Sequence, residues 1–152
     1  MDSIINRFPK IELSYEIKSH KKIPTSNLFY IAIPYGKKYF TWFTYYEDKP
    51  VCILVELNRY KNDYSIKQIY SVSSSFHSSL SLGTILYGTI VTKSGYKLFV
   101  LENIYYYKGK DVSHYPMNKK IKIFSLFFKE DIQCKIYHRG QIIFTMPVYD
   151  IN

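Results

Sequence analysis

The acidic residues bear first on what chemistry this chain can support. Only Glu56, Glu102 and Asp111 stand beside apolar, strand-like runs. Two-metal or paired-carboxylate chemistry needs acids that converge from neighbouring strand positions, and three scattered acids weigh against it. The four histidines, His20, His77, His114 and His138, stand far apart, and no two have metal-ligand spacing. Each reads as a loop or surface residue. The serines between Ser73 and Ser81 lack a nucleophile-elbow pattern and read as turn formers. Neither a Gly-x-x-x-x-Gly-Lys nor a Gly-x-Gly-x-x-Gly phosphate loop is present. Cys52 and Cys134 lie in apolar runs without Cys-x-x-Cys spacing, which fits buried thiols in a reducing compartment. No metal and no cofactor are expected.

The elements that must position any site are mostly strands. Ile11, Leu13, Tyr15 and Ile17 alternate with polar residues over Lys10 to Lys18, the pattern of a half-buried strand. Leu28 to Ile33 is an apolar run that stops at a Pro34-Tyr35-Gly36 turn. Lys38 to Tyr46 is apolar on both faces and predicts a strand covered on both sides. Glu47 to Pro50 then connects to a strand over Val51 to Leu57, and Tyr64 to Val72 makes another. Ser71 to Ser81 reads as a loop anchored by Phe76 and Leu80. Gly83 to Val91 and Tyr96 to Tyr105 form a β-hairpin around Lys93-Ser94-Gly95. Pro116 suits the first turn of a helix. Met117, Ile121, Phe124, Phe127 and Phe128 follow at helical spacing, with Lys119, Lys120 and Lys122 toward solvent. Two closing strands, Ile132 to Tyr137 and Gln141 to Met146, flank a turn at His138-Arg139-Gly140. Residues 1–152 therefore read as a single α+β domain of mostly antiparallel sheets with about one packed helix.

Composition agrees with that class. A chain of 152 residues with 47% hydrophobic content can bury one core. Its 17 Tyr and 10 Phe favour strands over helices. The net charge of +9 favours anionic partners such as nucleic acid or nucleotides, and it also keeps a Tyr-rich surface soluble. No secretory leader and no run of ~20 apolar residues is seen, so a cytoplasmic protein without membrane contact is expected.

Four phrases in order resemble the nucleotidyltransferase domain of mRNA capping enzymes and polynucleotide ligases, over Phe29 to Val148. They are Ile33-Pro34-Tyr35-Gly36, Gly83 to Val91, Phe99 to Ile104, and Arg139 to Pro147, with Tyr107-Lys108-Gly109-Lys110-Asp111-Val112 after the third. The resemblance implies a cleft that stacks a purine and holds phosphates. It also locates what this chain lacks. Ile33 and Tyr35 stand where the family has its nucleophilic lysine and an aspartate, and Tyr87-Gly88-Thr89 stands for Asp-Gly-Glu. Arg139 replaces a metal-assisting acid, while Glu102 lies near a family acid. The resemblance covers the nucleotidyltransferase domain alone, and an oligonucleotide-binding-fold domain is not expected. A member without its nucleophile cannot form the covalent phosphoramidate, so no enzyme activity is expected.

On that resemblance Tyr35 and Tyr87 would stack a base, and Lys37, Lys38 and Arg139 would meet phosphates, near Glu102. The expected function is a non-catalytic domain that binds RNA 5′ ends or nucleotides, as a subunit or regulator of mRNA processing. Alternatively Tyr35 and Tyr87 fill the old cleft. The chain is then a structural or protein-interaction subunit, a homo-oligomer or part of a larger assembly such as a virion or viral factory.

Overall fold

A strand that is apolar on both faces needs cover on both sides, and Lys38–Tyr46 has it. The computed structural model describes residues 2–13, 29–60, 63–133 and 140–151. In chain order the strands are β1 (Phe29–Ile31), β2 (Lys38–Tyr46), β3 (Lys49–Arg59), β4 (Tyr64–Val72) and β5 (Thr84–Lys93). They continue with β6 (Tyr96–Tyr107), β7 (Lys110–Asp111), β8 (Ile142–Thr145) and β9 (Tyr149–Ile151). Helix α1 (Met117–Leu126) lies between β7 and β8 and runs into a wider π-type turn over Phe127–Asp131. The architecture is α+β and mostly antiparallel, as the alternation predicts.

The main sheet has the order β4-β3-β2-β5-β6-β7, with β8 also on β6, and it curls into a half-barrel. Three of its connections are two-residue turns with both residues at positive φ: Glu47-Asp48, Ser94-Gly95 and Lys108-Gly109. That is the hairpin geometry whose twist matches the flanking strands. β1 and β9 form a separate two-stranded antiparallel sheet.

Each face of the main sheet carries its own core. On one face Phe43, Leu54, Leu86 and Leu101 meet Leu80, Phe124, Phe127 and Phe144. Leu80 belongs to a 3-10 helix over Ser78–Leu82 inside the serine-rich segment expected to be a loop. On the other face Phe40, Trp42, Val55 and Tyr87 are covered by the N-terminal Ile4, Phe8 and Ile11. Phe40 sits at the centre, its ring 5.3–5.9 Å from those of Phe8, Tyr64, Tyr87 and Tyr105. Such tilted and edge-on aromatic pairs are worth about 0.5–1.5 kcal/mol each beyond the area they bury.

Three expectations change. Lys10 to Leu13 is not strand but an extended cover over the second core, with residues 14–18 outside the described set. Of the two closing strands, the second gains a partner that its sequence does not announce. β8 runs parallel to β6, pairing Lys97–Val100 with Ile142–Thr145, while Ile132 bridges Phe76 and residues 134–139 lie outside the described set. β7 occupies only the far end of β6, so the near end remains for β8 to pair with. Lastly Lys120, expected toward solvent, is buried.

β5 and β6 leave no room for a side chain at Gly88. A Cβ there would lie 2.2 Å from the Val100 carbonyl oxygen and 2.9 Å from the Phe99 ring. Neither neighbour can yield, since one is backbone and Phe99 is fully buried. Gly88→Ala is therefore expected to destabilise by about 2–3 kcal/mol, read as a lower urea midpoint. An unchanged midpoint would contradict this close approach.

Candidate functional site

The two lysines expected to meet phosphates are each engaged with a carboxylate. Lys37 lies just before β2 and Lys38 opens it, and the two reach different carboxylates. The Lys37 Nζ donates to Glu56 Oε1 at 3.0 Å. The Lys38 Nζ donates to Glu102 Oε1 at 2.6 Å and to Thr89 Oγ1 at 2.7 Å, and Thr89 Oγ1 donates to the same Glu102 oxygen at 3.0 Å. Thr89 pairs with Lys38 across β2 and β5. Glu102 reaches them from a β-bulge: Gly88 pairs with Leu101 and Tyr87 with Asn103, so Glu102 is the extra residue. Of the expected site residues, Lys38 and Glu102 are thus brought together, in a nearly dry ion pair.

The tyrosines are not two walls of one cleft. Tyr35 is 105% exposed. Tyr87 is 5% exposed, its ring 5.5 Å from Phe40 and 6.4 Å from Tyr105. Tyr87 is a core residue, and a base could stack on it only by displacing Phe40 or Tyr105. Arg139 lies outside the described residues.

The other buried acids are also held by lysines. Burial raises the Glu56 carboxyl, but hydrogen bonds from Lys37 and Gln68 and the Lys37 and Lys67 charges outweigh it, holding the group below its ordinary value. Asp131 takes an ion pair from Lys108 at 2.8 Å and a short hydrogen bond from the Tyr107 hydroxyl. Burial, then the bond to Asp131, pushes the Tyr107 phenol up. Burial alone does the same for the Cys52 thiol, which is free, as expected. Among the described residues no three His, Cys, Asp or Glu side chains gather as a metal site would require.

A cleft of about 520 Å³ opens instead between the N-terminal cover, β6, β7 and the start of α1. Lys10, Glu12, Tyr106, Asp111, His114 and Lys120 line it, together with Asn103 and Ser113. Lys120 is 5% exposed and belongs to the same helical row as Ile123, Phe124 and Phe127. Its Nζ donates to Asn103 Oδ1 at 2.8 Å and lies 5.6 Å from the centre of the Tyr105 ring. Burial lowers the ammonium below its ordinary value of 10.5, and the charge of Asp111 partly opposes this. Asp111 itself is kept ionised by the Ser113 hydroxyl and backbone N–H, at 2.6 and 2.9 Å. The signal was available in the sequence: Lys120 stands three, four and seven residues before apolar positions, inside the stripe that faces the core.

Neither the protein-family models nor the curated proteins contain a match to this chain.

The buried pair yields a double-mutant test. Lys38→Met leaves the Glu102 carboxylate buried without its cation, and Glu102→Gln strands the Lys38 ammonium. Each single change is expected to cost about 3 kcal/mol in urea denaturation, and the double variant to recover most of that loss. Additive losses would show that the two groups are not coupled.

Proposed function

We propose that this domain binds RNA 5′ ends or nucleotides without reacting with them, as a non-catalytic nucleotidyltransferase-like module in an mRNA-processing complex. One observation carries the reading. Glu102, Glu56 and Asp131 are each bound to a lysine, so none is left to bring a divalent cation to a phosphate. A net charge of +9 still attracts polyanions.

A second reading, a structural or protein-interaction subunit, draws on the small sheet. Tyr30, Ile33, Tyr35, Val148 and Tyr149 are exposed on or beside β1 and β9. Exposed tyrosines with aliphatic neighbours suit a protein contact.

Retention of end-labelled RNA at rising salt separates the two. The first reading expects saturable binding that weakens steeply with salt, as phosphate contacts do. It also expects no covalent label from radioactive GTP or ATP with magnesium or manganese. Absence of saturable RNA or nucleotide binding at low salt would remove it, and a salt-independent dimer in sizing experiments would favour the second.

A further inference from the structure

Among the described residues Lys120 differs from the lysines that pair with buried acids. The Lys38, Lys37 and Lys108 ammoniums each touch a carboxylate. Lys120 is buried beside a neutral amide and an aromatic ring, and among the described residues no carboxylate is in ion-pair contact with it. An ammonium out of water without a counter-ion is costly unless something compensates it. One of its three donors goes to Asn103, and it lines a cleft large enough for a small ligand.

The rest of the lining restricts what can enter. Lys10 adds positive charge and His114 ring nitrogens, whereas Glu12 and Asp111 accept hydrogen bonds and repel a bare anion. The occupant must therefore carry anionic oxygens at one end and hydroxyl donors at the other. A sugar bearing a phosphate monoester satisfies both demands. Tyr106 adds an aromatic wall for a ring attached to that sugar.

We propose that the cleft between Lys10–Leu13, β6 and α1 binds a sugar-phosphate monoester, its phosphate on Lys120 and its hydroxyls toward Glu12 and Asp111. This rests on the reading of the domain as a nucleotide or RNA-end binder and moves the ligand away from Tyr35 and Tyr87. The same chemistry is offered by a free sugar phosphate and by a 5′-phosphorylated RNA end.

The test measures binding of ribose 5-phosphate and of one short RNA in 5′-phosphorylated and 5′-hydroxyl forms. The phosphorylated RNA should bind about tenfold more tightly than the hydroxyl form, the scale of one charged hydrogen-bond contact. Tighter binding of the RNA than of ribose 5-phosphate identifies an RNA end as the source, and the reverse a free sugar phosphate. Lys120→Met should remove the preference for the phosphate, while Lys122→Met, at an exposed site on the same helix, should leave it. Lys10→Met, also at an exposed position, should weaken the preference, which keeps a test available if Lys120→Met does not fold.

A stability measurement separates a ligand-binding lysine from a structural one. The Lys120 ammonium titrates below 10.5 in the folded state, so it opposes folding at neutral pH and ceases to do so as it loses its proton. Lys120→Met should therefore raise the thermal midpoint near pH 7, with the difference closing as pH rises toward 10.5. A folded Lys120→Met protein that is less stable than the parent overturns the proposal. So does a phosphate preference equal to that of Lys122→Met, which leaves the RNA or nucleotide reading standing. If the unaltered protein binds none of the probes the proposal falls, and if it also binds no nucleotide the reading beneath it falls too.

Discussion

Strand β6 has more residues than β5 can pair with, and the excess is absorbed as two bulges, at Glu102 and at Tyr105. Each bulge bends the strand and re-aims the side chains around it. The first turns Glu102 toward Lys38 and Thr89. The second adds Tyr105 to the ring cluster around Phe40 and keeps Asn103 within reach of Lys120. The approach of β5 to β6 at Gly88 lies beside the first bulge, where a side chain on β5 would force the strands apart. The ion pair, the aromatic core and the cleft therefore share one cause in how two neighbouring strands fit.

Charge is placed as tightly as apolar surface in this domain. Each of three buried carboxylates has a lysine within 3.0 Å, and in each case a further donor helps: Thr89 for Glu102, Gln68 for Glu56 and Tyr107 for Asp131. A carboxylate with a cation and a second donor keeps its charge out of water without a metal. Lys120 has no such arrangement. The asymmetry makes the cleft, rather than the strand acids, the place where the protein and an anion can do something for each other.

Much of the scaffold was legible. The two-faced alternation of Lys38 to Tyr46, the turn at Ser94-Gly95 and the start of α1 after Pro116 are local patterns, and local patterns survive in the fold. What was not legible depends on partners distant in sequence. A bulge leaves no mark on composition, so nothing along β6 announces that Glu102 will meet Lys38. The parallel pairing of β8 requires knowing that β7 is too short to use the whole edge of β6. The tyrosines show the same limit. Tyr35 and Tyr87 both stand beside glycines in apolar surroundings, yet one is solvated and the other is core, because only Tyr87 lies on a strand with cover above it. Lys120 was misassigned because its neighbours Lys119 and Lys122 made the whole run look solvated, although only its own spacing matches the apolar row.

The parallel seam between β6 and β8 also orders events in time. The hairpins β2–β3, β3–β4, β5–β6 and β6–β7 can close as soon as their own few residues are available, since each spans a short turn, whereas β2 meets β5 only across the length of β3 and β4. The seam joins Lys97–Val100 to Ile142–Thr145, more than forty positions further along, with α1 between them. Loop closure of that length lowers the folding rate more than it lowers stability. Until it happens, Lys97–Val100 on that edge of β6 have no strand beside them, and Phe99 lacks Phe144. The hairpins thus wait on two non-local seams, β2 with β5 and β6 with β8, and the waiting edges are where misassembly between copies would begin.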